Sequence, residues 1–224
     1  MLRVEKPLKI GVRTIGIFFY RSDDLSAKLV RNTIQNSFKK LEKIYRIPSK
    51  NLPQLYFELI YSREELNSKI SKKTANWLVG LFRKNKIYLF SPIAIEKFSP
   101  HKKTYIKKLI THELCHLFNH AINPLLPLWL NEGIALVIAD QKKDSLIPKS
   151  DWLFFKKSLT NKKMHFKEFS EHSGYKISYA LTSHLLDKLG RDGLFRLVKF
   201  ASKKNKPYAK ALNLSASYID SLIN

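Results

Sequence analysis

With 224 residues, 44% of them hydrophobic and including 14 Phe and 10 Tyr, the chain has enough apolar surface for one large domain or two lobes. A single cysteine excludes an intramolecular disulfide, and no apolar run reaches the roughly 18 residues of a membrane-spanning helix. The net charge of +23 suits an anionic partner (nucleic acid, an anionic membrane surface or acidic substrates), and equally a lysine-rich chain whose charged faces are simply solvated.

In chain order, the apolar stretch from Ile10 to Tyr20 is broken by Arg13 and reads as a strand, Ile15 to Tyr20, rather than a secretory leader. A cytoplasmic location is the default expectation. A helix follows near 25–46, then a strand near 54–61 and a helix near 62–71. An edge-strand region near 76–82, containing Trp77-Leu78-Val79-Gly80, precedes a strand near 86–90. That edge could take up an extended peptide by β-addition; a packed tryptophan explains it equally well. From residue 103 onward the pattern is helix and loop. The fold class expected is α+β: a small mixed sheet with helices, then a helical C-terminal half. The expected organisation is one catalytic domain over 1–224, with an α/β lobe at 1–120 and a mainly helical lobe at 121–224.

The run His112-Glu113-Leu114-Cys115-His116 carries the chemistry. Residues four apart on a helix face the same way, roughly 6 Å apart at Cβ. Two imidazoles so placed can chelate one Zn²⁺, and the glutamate between them can deprotonate water held there. Tyr105, Ile106, Leu109, Ile110 and Leu117 fall on one face, with Lys102, Lys103, Lys107 and Lys108 largely on the other. That period predicts a helix with a buried stripe. Leu114 and Cys115 turn away from the metal, and Cys115 reads as a small buried apolar residue. His120 lies eight residues beyond His112, roughly 12 Å along a helix. It reads as a C-terminal cation or a supporting group. His101 and His165, in lysine-rich segments, read as surface residues.

A zinc site needs a third protein ligand. The best candidate is Glu132 in Leu128-Trp129-Leu130-Asn131-Glu132-Gly133-Ile134-Ala135. Asn123, Pro124 and Pro127 break the chain before it, and residues 132–139 read as the start of a second helix. An ordinary first-turn glutamate favoured by the helix dipole is the alternative.

These two motifs resemble those of gluzincin metallopeptidases, the small peptidase-MA-like kind related to thermolysin and aminopeptidase N. The resemblance implies a zincin-like fold and zinc-dependent peptide hydrolysis with one Zn²⁺ per chain. It makes His112, His116 and Glu132 the metal ligands and Glu113 the general base. Residues of roughly 15 to 220 fit the family's order of elements, including a helix from Tyr175 to Gly190, but only the two motif blocks are specific. Thermolysin-like enzymes carry an aspartate four residues after the glutamate ligand; here Leu136 stands there. A backbone carbonyl or Asp140 then remains to orient a ligand histidine. Related enzymes supply an oxyanion donor from the C-terminal helical part, for which Tyr175 and Tyr179 are candidates and His172 and His184 further options. Packed aromatics are the plainer reading of both tyrosines. His184 is expected to face solvent or a neighbouring helix.

The partner expected is a peptide or protein substrate, with a non-specific anionic partner allowed by the charge. Lysine pairs at 72–73, 102–103, 142–143, 156–157, 162–163 and 203–204 spread over the whole chain, and arginine, which specific phosphate or base readout favours, is scarce. Two other readings stay open. A DNA-associated SprT-like protease would share the first motif but needs a third histidine. A non-catalytic basic binding module would have no use for Glu113.

Overall fold

The computed structural model describes residues 3–11, 13–71, 73–76, 78–83, 85–142, 146–159, 164–201 and 206–223. Among these lie one five-stranded mixed sheet and nine α-helices, an α+β architecture. The chain divides into two compact units, Met1–Phe118 and Asn119–Asn224. None of the described helices is long and apolar enough to cross a membrane.

The first unit holds the sheet, in the order β1-β2-β3-β5-β4. The strands are β1 (Arg3–Ile10), β2 (Arg13–Tyr20), β3 (Tyr56–Ile60), β4 (Gly80–Arg83) and β5 (Lys86–Phe90). β2, β3 and β5 run parallel, while β1 and β4 are antiparallel to their neighbours. Helix α1 (Asp24–Tyr45) connects β2 to β3, and α2 (Arg63–Ile70) leads from β3 toward β4. The alternation of β2 buries Ile15, Ile17 and Phe19, and the 3.6-residue period of α1 buries Ala27, Val30, Ile34, Phe38 and Leu41. Each of these side chains larger than Ala27 contributes about 1.5–3 kcal/mol when fully buried.

The first strand departs from expectation. The apolar stretch ending at Tyr20 is not the first element, because β1 precedes it and turns into β2 through Gly11, whose φ of 58° glycine adopts without strain. β1 carries Lys6, Pro7 and Lys9, which hide the strand signal and suit an edge. Helix α3 (Pro92–Phe98) is also an addition. Its signal is local: Ser91 Oγ accepts from the Ala94 amide at 3.2 Å, with Pro92 in the first helical turn. Strand β4 begins at Gly80, later than the expected 76–82; Trp77 lies outside the described residues.

Helix α4 (Ile106–Ile122) carries the first motif. Its hold on α1 is specific: the Ser37 and Thr111 hydroxyls share a hydrogen bond of 2.9 Å. The Phe118 ring lies 5.9 Å from Phe38 and 5.1 Å from Tyr45, centroid to centroid. These contacts fix the rotation of α4 about its own axis, and so the direction in which His112 points.

The second unit is helical. It comprises the end of α4, α5 (Leu128–Ile138), α6 (Lys149–Ser158), α7 (Phe166–Glu171), α8 (Gly174–Phe200) and α9 (Lys206–Ile223). α5 starts at Leu128, directly after Pro127, so Glu132 stands beyond the first turn rather than in it. α5 and α8 approach closely at Gly133. A Cβ there would lie 2.0 Å from Thr182 Oγ1 and 2.4 Å from the Ser178 carbonyl oxygen. α8 is interrupted at Gly190, with φ 65° and ψ 177°, where the sequence places the end of the Tyr175 helix.

Candidate metal centre and its surroundings

His112 and His116 sit one turn apart on α4, and their rings meet edge to face, with Nε2 atoms 3.0 Å apart. His112 is 7% exposed and Glu113 6%, while His116 is half-buried. Glu113 turns toward the sheet. A Cβ at Gly80, the first residue of β4, would lie 3.1 Å from Glu113 Oε1 and 2.8 Å from Leu109 Cδ1. The absent side chain of Gly80 is therefore what leaves room for this carboxylate.

Two aromatic groups lie upstream. The Tyr105 hydroxyl is pushed up to about 12, by burial first and then by the Glu113 carboxylate. His101 stacks on the Tyr105 ring at 4.0 Å and 6°. His101 is thus a half-buried stacking partner rather than a plain surface residue, a contact between positions four apart that the surrounding lysines obscure. His165 is exposed as expected, and its side chain caps α7.

The x positions of the motif face the core. Leu114 and Cys115 are fully buried. Burial pushes the Cys115 thiol well above its ordinary range, despite nearby Lys40 and a hydrogen bond from the Tyr45 hydroxyl. Tyr45 is likewise raised, by burial and then by Cys115. A thiol held neutral in this way is packing material, not a nucleophile.

In the second unit, Glu132 is buried at 8% exposure between Asn131 and Gly133. The Asn119 amide, in the last turns of α4, donates to Asn131 Oδ1 at 2.9 Å. Leu136 is buried, and Asp140 is exposed in the left-handed turn that ends α5, at φ 53°. Tyr175 is in the first turn of α8, half-buried, with its ring edge-on to Phe169 at 5.0 Å and to Phe166 at 6.5 Å. Tyr179 follows one turn later, also half-buried. His172 pairs with Asp151 at 3.3 Å and stacks on Phe154 at 4.0 Å. His184 stacks on Tyr218 of α9 at 4.2 Å, the neighbouring-helix position expected for it. His120 is exposed in the last turn of α4.

No family model matches this chain, and no curated protein matches it either.

The lysines at the start of α4, Lys102, Lys103, Lys107 and Lys108, are exposed. Lys72, Lys143, Lys162, Lys163, Lys203 and Lys204 lie outside the described residues. Several arginines of the first unit bond to backbone: Arg13, buried, to the Leu52 carbonyl at 2.9 Å, Arg83, exposed, to the Ile70 carbonyl at 2.9 Å, and Arg63 to several carbonyls ahead of β4. Sequence reasoning missed Arg63, since backbone acceptors carry no side-chain identity.

Proposed function

We propose that the protein is a zinc-dependent peptidase of gluzincin type. The observation that carries this reading is the separation of the two motif nitrogens. Zinc takes imidazole at about 2.0–2.1 Å in tetrahedral geometry, which requires roughly 3.3 Å between the two nitrogens. The 3.0 Å between His112 Nε2 and His116 Nε2 is close to that bite.

Glu132 is the third donor in this reading. Its neighbour Asn131 is tied to Asn119, which stands three residues past His116 on the same helix. This reading takes His112 and His116 of α4 and Glu132 of α5 as the three donors. Two neutral imidazoles and one carboxylate are the donor set of catalytic zinc sites that keep a position open. Bound there, zinc supplies a Lewis acid that acidifies water and polarises a carbonyl.

Glu113 takes the proton from the attacking water and returns it to the leaving amine, so no covalent intermediate is needed. Its burial beside Gly80 favours this role, since a carboxylate kept from bulk water acts on the water it faces. β4 ends the sheet, and in this reading an extended peptide adds along its outer edge. Tyr175 and Tyr179 remain the candidates for the oxyanion donor. The SprT-like alternative needs a histidine as third donor; His120 is exposed at the end of α4, whereas Glu132 is buried.

The test is metal content by mass spectrometry together with cleavage of a peptide library. The parent should hold close to one zinc per chain, and Glu132→Ala should lose it. Glu113→Gln should keep zinc and lose cleavage by about 10²–10⁴-fold. Full zinc in Glu132→Ala would remove that ligand. A parent without zinc after reconstitution would overturn the reading.

A further inference from the structure

Arg63 makes more specific contacts than any sequence signal at its position suggests. It is the first residue of α2, after the N-cap Ser62, and its guanidinium reaches away from the helix. Nη1 donates to Thr74 Oγ1 at 3.3 Å, to the Ala75 carbonyl at 3.1 Å and to the Leu78 carbonyl. Nη2 donates to the Asn76 carbonyl at 2.7 Å and to the Phe98 carbonyl at 3.3 Å. The same group lies over the Phe90 ring, 4.6 Å from its centroid. Thr74 is held a second time, since Asn67 Oδ1 accepts from both its amide and its hydroxyl at 2.8 Å.

Thr74, Ala75, Asn76 and Leu78 belong to the irregular approach to β4, ahead of the first ladder residue, and Phe98 ends α3. Their carbonyls have no strand partner in the sheet, and a planar fork of five N–H groups satisfies several at once. Directly beyond the clamp, the Val79 carbonyl accepts from the Phe90 amide at 2.9 Å. Gly80 follows, and the space at its missing Cβ is 3.1 Å from Glu113 Oε1. The residues Arg63 holds at 74–76 and 78 thus stand just ahead of Val79 and Gly80, the latter beside the carboxylate of the proposed general base.

We propose that Arg63 is a positioning residue that sets the placement of the β4 edge beside Glu113, and with it the binding of an extended peptide. This rests on the peptidase reading above. Arg63 touches neither substrate nor metal; it acts through Val79 and Gly80. Lysine cannot fully replace it, because an ammonium is a point donor and the acceptors are spread over four residues ahead of β4 and across to Phe98.

The experiment compares the parent with Arg63→Lys and Arg63→Ala, using a quenched fluorescent peptide that the parent cleaves. Zinc content, melting temperature and amide hydrogen exchange are measured on the same samples. The expected result in Arg63→Ala is a KM raised about tenfold, kcat per folded chain within about twofold, and zinc unchanged. Exchange at the amides of residues 78–83 should accelerate, with Arg63→Lys between the two. An unchanged KM, with rate lost only in proportion to folded protein, would overturn the proposal and leave a purely structural arginine. Should Arg63→Ala not fold, Arg63→Lys decides by the same split. A parent that binds zinc but cleaves no peptide would defeat the peptidase reading. The exchange data would then stand alone: acceleration confined to residues 78–83 would keep the clamp, and its absence would refute it.

Discussion

At the scale of the residue, Gly80 and Cys115 show how the surroundings of Glu113 are made. A methyl group at position 80 would press on Leu109, Leu89 and Glu113 at once, at 2.8, 3.0 and 3.1 Å. Gly80→Ala should therefore destabilise the protein by about 1–3 kcal/mol, read as a lower urea midpoint. An unchanged midpoint would mean that Leu109 and Leu89 swing aside. Cys115 should resist thiol reagents in the native protein and react only on unfolding, because burial holds the thiol neutral. Rapid modification of the folded chain would contradict its burial. The placement of His112, Glu113 and His116 on one helix was legible in the sequence, because the apolar period around them is helical and residues four apart share a helix face. Arg63 was not, because what it binds is main chain, and main chain looks the same at every position.

At the scale of the element, legibility followed the strength of the hydrophobic period. β2, α1, β3 and β5 carry clear periods and stand where expected. β1 was hidden because an edge strand is built to look polar, with Lys6, Pro7 and Lys9 guarding it. α3 was passed over because seven residues are too few for a period, although Ser91 and Pro92 announce its start. α5 starts four residues before Glu132, because Pro127 is not loop but the residue before the first turn. Between elements, the α5–α8 contact depends on Gly133. Gly133→Ala sets a methyl group against the backbone of Ser178, which cannot rotate away, and should cost about 1–3 kcal/mol or more. Its signature is a lowered melting temperature that Thr182→Ala does not restore. Full restoration would mean that only the Thr182 side chain stood in the way.

At the scale of the whole molecule, charge is uneven. Residues 1–118 hold 24 lysines and arginines against 9 acids, a net +15 of the +23 total. Glu58, on the central strand β3, is buried among Arg3 at 3.0 Å, Lys69 at 2.7 Å and Lys86 at 3.6 Å. Burial alone would raise its pKa, but these three cations outweigh it, and the carboxyl is held below its ordinary value. Its contribution to stability is therefore present above the unfolded value of about 4.3 and lost as pH falls through the lower folded value. Tyr45, Tyr61 and Tyr105 are displaced upward, each chiefly by burial. The unfolded chain releases those protons near pH 10 while the folded one keeps them, so stability falls as pH climbs past about 10. Denaturant titrations across pH should show a plateau bounded on both sides. A midpoint that stays flat to pH 11 would show that these hydroxyls are not held neutral.

The division between the two compact units falls between Phe118 and Asn119, in the interior of α4. A helix interior is a poor place for a cut. Its peptide groups are already committed to partners four residues away, and a protease needs them extended. Limited proteolysis should therefore spare this junction in the native chain. Anyone wishing to express the halves separately must give the whole of α4 to one fragment, leaving the other without the turn that carries Asn119.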